Sequence, residues 1–131
     1  MVVVFDTNVL VAAVRSRRGA SNALIIEALR RRVRWACSVP LFFEYEDALA
    51  RAELLLAVGA SRQAMETFLT DIAAVIEPVA LHFLWRPQLR DPKDEMVVET
   101  AANARADYLV THNVTDFAAV RNRFTFDIVT S

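Results

Sequence analysis

The chain has few of the residues from which several common functional sites are built. Its 131 residues include only two glycines, Gly19 and Gly59, so neither a P-loop nor a dinucleotide-binding fingerprint can form. A single cysteine, Cys37, excludes an internal disulfide and fits a reducing compartment. We expect it to be a buried apolar side chain rather than a nucleophile. One cysteine and two histidines exclude a Cys/His zinc site, and without a G-x-S-x-G motif a serine hydrolase has no support.

Long apolar runs and targeting signals are also lacking. No run approaches the length that spans a bilayer, and the first residues, MVVVFDTN, contain neither a basic n-region nor a cleavage signal. We therefore expect a cytoplasmic protein with no membrane contact. Apolar residues make up 55% of the chain, enough for a sizeable core, and the length predicts a single domain over residues 1–131.

Lysine is nearly absent, and the cations are almost all arginine. Of the fifteen cations, fourteen are Arg and the other is Lys93. The net charge of −1 gives the whole protein no general attraction to nucleic acid, so any attraction must be local. Two arginine clusters stand out, namely Arg15, Arg17 and Arg18, and Arg30, Arg31, Arg32 and Arg34. Arginine binds phosphate and stacks on bases, although solvated helix ends explain the clusters equally well.

Short apolar runs alternate with helical patterns along the chain. The β-branched run at 2–5 predicts a strand buried on both faces, and further strands are predicted at 33–37, 75–79, 107–111 and 127–130. Helices are predicted at residues 9–14 and 62–74, the second after a cap at Ser61. Three more are predicted to begin at a cap at Ser21 or Asn22, at Ser38, and at a cap at Asp91. The last two of these run to about residues 56 and 105. Residues 81–89 show no clear period. This alternation predicts a three-layer α/β/α sandwich around a mostly parallel sheet of about five strands.

Acidic side chains stand beside the breaks between these elements. The four positions are Asp6, Glu44, Asp94, and Asp116 with its neighbour Asn113. Three of them lie at the end of an apolar run or at the start of a predicted helix, where α/β sheets collect their active-site residues. Clustered carboxylates can hold a hard divalent cation through oxygen ligands. Metal-dependent phosphodiester chemistry is therefore the leading hypothesis.

Each of these acids also has a purely structural explanation. Asp6 could cap a helix or form a turn, Asp94 could stabilise a helix N-terminus together with Asp91 and Glu95, and Asp116 could cap the turn that follows it. Glu44 could be a solvated helix acid or pair with Arg51, and spacing does not distinguish it from Glu46 and Asp47. We expect Asn8 to hold the Asp6 carboxylate by a hydrogen bond and His112 to be a loop residue rather than a base.

Three segments carry a resemblance to a known family. VVVFDTNVLVAA is similar to the opening of a PIN domain, SVPLFFEYEDALAR to its second-acid helix, and RDPKDEMVVETAANARADYLVTHNVTDF to its third and fourth acidic regions. Together they span almost the whole chain. The sequence most resembles the PIN-family toxin components of bacterial toxin–antitoxin systems, which are related to the VapC-type ribonucleases.

The resemblance implies a parallel sheet of about five strands and cleavage of RNA that depends on Mg²⁺ or Mn²⁺. It places the family's acids at Asp6, Glu44 and Asp94. Asn113 stands where many members have an aspartate, and Asp116 is the nearby carboxylate in a T-x-N-x-x-D-F pattern. The resemblance also implies a small antitoxin as partner and a homodimer, for which the aromatic stretch Phe83, Leu84 and Trp85 would suit a buried interface or an ordinary core.

These observations combine into one mechanistic hypothesis. Asp6, Asp94 and Asp116 hold the metal, and Glu44 positions the ion or the attacking water. The supporting or substrate-binding residues are predicted to be Asn8, Thr111, Asn113, Arg15, Arg17 and Arg18, with Thr111 bonding either a phosphate or Asp6. Three alternatives stay open: a degenerate PIN module that binds RNA or protein without cutting it, an Asp-nucleophile phosphatase of the haloacid-dehalogenase type, and a receiver domain.

Overall fold

Five parallel strands form the centre of the molecule in a computed structural model that describes residues 1–82, 89 and 91–131. The strands are β1 (Val2–Phe5), β2 (Arg34–Cys37), β3 (Glu77–Pro78), β4 (Tyr108–Val110) and β5 (Asp127–Val129). The helices are α1 (Thr7–Arg15), α2 (Ala20–Leu29), α3 (Val39–Leu49), α4 (Ala52–Val58), α5 (Arg62–Val75) and α6 (Pro92–Ala104), with a 3-10 helix at Val114–Val120. The aromatic stretch Phe83, Leu84 and Trp85 lies outside the described residues, as does most of the segment at 81–89 for which no regular element was predicted.

The sheet has the strand order β3-β2-β1-β4-β5, and every described pair is parallel. Central strand β1 pairs through Val3 with Trp35 on one side and Tyr108 on the other. Val4 and Phe5 are almost completely buried, as expected for a parallel strand covered on both faces. The predicted α/β fold with a parallel sheet flanked by helices is therefore confirmed. Because the strands run the same way, their carboxyl ends share one edge, called here the carboxyl edge, and their starts share the amino edge.

A buried aromatic cluster fixes α3 against the end of β1. Trp35 packs edge-on against Phe5 with ring centroids 4.9 Å apart, and its other neighbour is Tyr45, at 5.9 Å. Burying side chains of this size contributes roughly 1.5–3 kcal/mol each. The Tyr45 hydroxyl donates a 2.6 Å hydrogen bond to the carbonyl of Phe5, the last residue of β1. The helix that carries Glu44 is thus attached directly to the strand that precedes Asp6.

Several helix ends follow the predicted signals. Ser61 caps α5 by accepting from the Ala64 amide at 3.0 Å, and Asp91 caps α6 by accepting from the Lys93 amide at 2.9 Å. Gly59 ends α4 in the left-handed conformation, at φ 68°, which a residue without Cβ adopts most easily. Cys37 is buried, as expected. Among residues 1–82 and 91–131, no helix is long and apolar enough to cross a membrane.

Two predicted boundaries are wrong. The single helix predicted from Ser38 to about 56 is two helices, because Arg51 adopts an extended conformation between α3 and α4, where neither glycine nor proline marks a break. The predicted cap of α2 at Ser21 or Asn22 is also wrong, since the helix already begins at Ala20, after Gly19. The side chains of Ser21 and Asn22 make tertiary hydrogen bonds instead, to His112 and to the Ala13 carbonyl.

Candidate functional site

A cleft of about 360 Å³ opens at the carboxyl edge of the sheet. Four separate stretches of chain build it: the turn from β1 into α1, the cleft-facing side of α3 with Arg51 after it, the beginning of α6, and Asn113 after β4. The polar side chains that line it are Asp6, Thr7, Asn8, Glu44, Arg51, Asp91, Lys93, Asp94 and Asn113. The structure therefore brings together four of the five residues singled out beside the chain breaks. The fifth, Asp116, is outside the lining but close enough for its charge to raise the pKa of both Asp6 and Asp94.

Asp6 has both carboxylate oxygens in hydrogen bonds. It caps α1, where Oδ1 accepts from the Thr7 amide at 2.8 Å, and Oδ2 accepts from the Thr111 hydroxyl at 2.8 Å. The side chain is almost buried, and this desolvation raises its pKa despite the two hydrogen bonds that lower it. The charges of Asp116 and Asp91 raise the pKa further. Asp6 is thus held in one orientation in surroundings that penalise its ionised form.

Thr111 is the junction of the hydrogen bonds behind Asp6. Asn8 was expected to hold the Asp6 carboxylate by a hydrogen bond. This prediction is wrong, because the Asn8 amide nitrogen donates instead to the Thr111 hydroxyl oxygen at 3.4 Å. The same hydroxyl oxygen accepts from the Asn113 amide at 3.1 Å, while Asn8 Oδ1 accepts from the His112 amide at 3.2 Å. Thr111 was predicted to bond either a phosphate or Asp6, and in the structure it donates to Asp6. The turn after β1 and the turn after β4 are therefore tied together behind the carboxylate.

Asp94 faces the other acids from the first turn of α6. Asp91 caps this helix, and Asp94 lies three residues later, so both carboxylates sit at its N-terminal end. Partial burial, followed by the charges of Asp6, Asp91 and Asp116, raises the pKa of Asp94 to about 6. The ionised form of Asp94 is thus disfavoured by burial and by three nearby carboxylates, and a bound cation would relieve this repulsion. Asp91 was predicted as the cap of this helix and was not among the predicted site residues, although the D-P-K-D spacing already places it on the same turn as Asp94.

Glu44 is the α3 acid that enters the cleft. Glu46 and Asp47 instead line a separate groove between α3 and α5. The alternative pair between Glu44 and Arg51 is wrong, because Arg51 Nη2 lies 3.1 Å from Asp47 Oδ2. Glu44 Oε2 lies 3.5 Å from the ammonium of Lys93. Packing of Tyr45 into the core selects which of the three acids points inward, and spacing alone could not show this.

The arginine clusters do not line the cleft. Arg34 begins β2 at the amino edge and pairs there with Glu77 at 2.7 Å, so its cluster lies at the wrong edge of the sheet. Arg15 ends α1, Arg17 and Arg18 follow it, and all three are exposed. Ser21 Oγ lies 2.8 Å from His112 Nε2, which holds the start of α2 beside the loop after β4. The first cluster therefore lies at the periphery of the carboxyl edge rather than within the cleft.

The donor set fits a hydrated magnesium or manganese ion. Within the described ranges, no three His, Cys, Asp or Glu side chains are close enough to form a complete protein-ligand cage. Mg²⁺ does not require one, because it keeps several waters and is usually bound through one or two carboxylates. Asp6 and Asp94 line the same cleft, and the charge of Asp6 raises the pKa of Asp94. These two residues would hold such an ion.

Comparison with known proteins gives the family and the fold. The PIN-domain family matches residues 2–115, which include Asp6, Glu44, Asp94 and Asn113 and end one residue before Asp116. No curated protein matches the chain in sequence. The solved structures that are similar in fold include VapBC proteins from two bacteria. VapBC2 from Rickettsia felis, bound to a DNA fragment from its promoter, has a TM-score of 0.68 at 16% identity. The matched region covers 100% of this chain and 99% of the VapBC2 chain. VapBC-1 from nontypeable Haemophilus influenzae has a TM-score of 0.60 at 13% identity, with 92% of each chain covered.

These likenesses at low identity concern the fold, whereas the family match spans most of the sequence, from the first strand to the turn after β4. The sheet order, the cleft at the carboxyl edge and the acids that face one another across it agree with that match. This chain belongs to the PIN-domain family.

Proposed function

We propose that the protein is an endoribonuclease that hydrolyses RNA phosphodiester bonds with the help of Mg²⁺ or Mn²⁺. One observation carries the proposal: Asp6, Glu44 and Asp94, far apart in sequence, line one cleft in a PIN domain. Burial, followed by the charges of Asp6 and two further aspartates, raises the pKa of Asp94, which supports a cleft that disfavours added negative charge. Such an arrangement costs stability and is typical of a site that binds a cation.

The residues of the cleft have distinct roles in this proposal. A bound dication lowers the pKa of the attacking water and neutralises charge on the phosphoryl group. Asp6 and Asp94 hold the ion, while Glu44 positions it or orients the attacking water. Asp116, together with Asn113, orients a second hydrated ion or the leaving side of the phosphodiester.

The residues behind Asp6 keep its carboxylate in place. Thr111 and the Thr7 amide each hold one oxygen, and Asn8 holds Thr111 in turn. Fixed orientation matters because a metal ligand displaced by an ångström loses much of its effect on the reaction. Thr111 and Asn8 are therefore positioning residues, and they act through Asp6.

RNA would approach through local positive charge. Arg15, Arg17 and Arg18 are exposed at the periphery of the carboxyl edge and would contact phosphates that lie outside the cleft. Such contacts make binding sensitive to salt, because each neutralised phosphate releases counterions. A binding constant for single-stranded RNA that stays constant between low and moderate salt would exclude this role of the three arginines.

The biological role we propose is that of the toxin in a toxin–antitoxin pair. The two VapBC structures share the fold of this chain, which belongs to the PIN-domain family. In this role the protein acts in the cytoplasm, forms a homodimer and is held by a small antitoxin protein. A short reading frame next to the gene, whose product co-purifies with this chain and suppresses RNA cleavage, is the expected finding.

Cleavage of labelled RNA by the purified protein tests the central proposal. We expect cleavage with Mg²⁺ or Mn²⁺, none with chelator, and loss of cleavage in Asp6→Asn. Asparagine keeps the size and the capping ability of aspartate, so this variant should fold normally. Equal activity of the variant and the wild type, after contaminating nuclease is removed, would refute the assignment of Asp6.

A degenerate module that binds RNA or protein without cutting is the second candidate. Asn113 favours it, because an amide there supplies less negative charge than an aspartate would. Calorimetric titration with Mn²⁺ separates the two candidates, since the degenerate module is expected to bind no metal. Membership of the PIN family argues against the phosphatase and the receiver domain.

A further inference from the structure

The acidic cleft also contains two cations, Lys93 and Arg51. They approach from different elements, Lys93 from the first turn of α6 and Arg51 from the junction of α3 and α4. Glu44, on α3, contacts Lys93 at 3.5 Å. The cleft therefore contains positive charge beside its carboxylates, and neither cation was among the predicted site residues.

Lys93 occupies a position that helix stability does not favour. It is the only lysine in the chain, and it stands in the first turn of α6, where the helix dipole disfavours a positive charge. Its ammonium is 3.5 Å from Glu44, and its side chain is 59% exposed, so the ion pair is a loose one. A compact ammonium on a flexible stem can leave such a partner for a phosphate oxygen.

Arg51 is held in a similar way. Its guanidinium pairs with Asp47 at 3.1 Å, and both side chains are more than half exposed. Exposed pairs of this kind contribute little to stability, so Arg51 can exchange Asp47 for another anion at little cost. Asp47 belongs to the neighbouring groove, which leaves Arg51 at the rim between that groove and the cleft.

We propose that Lys93 and Arg51 form a phosphate-binding subsite for single-stranded RNA, next to the proposed metal ligands. The inference rests on the proposed ribonuclease function, and it specifies where the RNA backbone passes through the cleft. A phosphate that enters the cleft meets the repulsion of Asp6, Asp91 and Asp94, and these two cations offset it. When the phosphate binds, Lys93 leaves Glu44, whose carboxylate is then available to the metal or the water.

Binding of fluorescein-labelled single-stranded RNA, measured with Ca²⁺ and separately with chelator, tests the subsite. The variants are Lys93→Met and Arg51→Met, which keep most of the apolar stem and remove the charge. The matched control is Arg105→Met, at the other end of α6 and about 18 Å from Lys93 along the helix. We expect each cleft variant to weaken binding several-fold and to reduce the slope of log Kd against log salt by about 0.7. In the double variant the reduction in slope should be about twice as large, and the control should match the wild type.

Calorimetric titration with Mn²⁺ adds a readout that is independent of RNA. Lys93→Met should bind Mn²⁺ several-fold more tightly, because Glu44 loses the cation that neutralises it. Arg51→Met should leave Mn²⁺ binding nearly unchanged, since Arg51 pairs with Asp47. Thermal unfolding checks that the variants fold, and Lys93→Gln and Arg51→Gln replace any that do not.

The outcomes separate this inference from the proposed function. If the wild type binds and cleaves RNA while both cleft variants behave like Arg105→Met, the subsite is wrong and the ribonuclease stands. Unchanged Mn²⁺ affinity in Lys93→Met would overturn the exchange between Glu44 and phosphate. A wild type that binds no RNA in either buffer would overturn both the subsite and the proposed function.

Discussion

The two edges of the sheet carry acidic side chains in opposite electrostatic situations. At the amino edge, Glu77 accepts two hydrogen bonds from Arg34, and Asp107 accepts from the Val2 amide at 2.7 Å. The pKa of Glu77 is lowered by its hydrogen bonds with Arg34. At the carboxyl edge, burial and neighbouring acids raise the pKa of Asp6 and Asp94.

This difference in pKa shows which acids stabilise the folded state when ionised and which destabilise it. An acid with a lowered pKa stabilises the folded state when ionised, whereas an acid with a raised pKa destabilises it. At the amino edge, the ionised form of Glu77 therefore stabilises the fold. The ionised forms of Asp6 and Asp94 at the carboxyl edge do not, and retaining such acids at a cost to stability is typical of a functional site.

Removing one carboxylate from the cleft should have the largest effect. We expect Asp94→Asn to reduce RNA cleavage by at least about 100-fold, the scale on which a lost electrostatic contact to the reacting centre acts. The melting temperature of the metal-free variant should rise, because one source of repulsion is removed. Glu46→Gln, which removes an acid outside the cleft, is the control for both measurements. A fall in the metal-free melting temperature of Asp94→Asn would contradict the contrast between the edges.

Removing the support of Asp6 should have the next largest effect. Thr111→Val keeps the shape of the side chain but removes the hydroxyl that donates to Asp6 Oδ2. We expect cleavage to fall by roughly 10–100-fold, as for outer-shell partners of metal ligands, and stability to fall by about 1–3 kcal/mol. Chemical denaturation and RNA cleavage measure the two effects. Thr111→Ser retains the hydroxyl and should restore most of both, whereas equal damage in the two variants would indicate lost packing instead.

The pH dependence of metal-free stability should distinguish the edges directly. The pKa of Asp94 is about 6 in the folded protein and 3.8 ordinarily, so its protonation stabilises the fold below 3.8, and this stability is lost as pH rises through 6. Glu77 has a lowered pKa, so its stabilisation is present above its ordinary value of 4.5 and is lost as pH falls below it. Urea denaturation should therefore show stability rising from pH 7 to pH 5. In Asp94→Asn this rise should be smaller, and an identical profile would remove Asp94 as its cause.

The smallest expected effect is at the amino edge. Glu77→Gln breaks an exposed ion pair, and such pairs contribute little. We expect a slight fall in melting temperature that high salt reduces, and RNA cleavage unchanged from that of the wild type. Loss of cleavage in this variant would mean that the amino edge takes part in function after all.

The parts of the fold that the sequence predicts are those with local causes. The run that forms β1, the cap at Ser61 and the cap at Asp91 each depend on neighbouring residues. The break at Arg51 carries no glycine or proline and was therefore missed.

The sequence predicted acids that line the cleft, but not the contacts between their side chains and the residues around them. The end of the first strand pointed to Asp6 and a helix start pointed to Asp94, whereas the selection of Glu44 depends on how Tyr45 packs in the core. The bond between Asn8 and Thr111 joins residues 103 positions apart, and the pair between Lys93 and Glu44 joins two helices. Contacts of this kind arise only from tertiary packing, which spacing along the chain does not reveal.

Asp6 both caps α1 and faces the cleft, and this dual role constrains how the sequence can drift. If a descendant of this protein lost its need for cleavage, selection on the cleft would cease while selection on the helix would continue. Serine, threonine and asparagine satisfy a helix start almost as well as aspartate, whereas alanine costs about 1 kcal/mol. Descendants that have lost cleavage activity should therefore carry one of those three residues at position 6. Such a substitution would identify them in a genome.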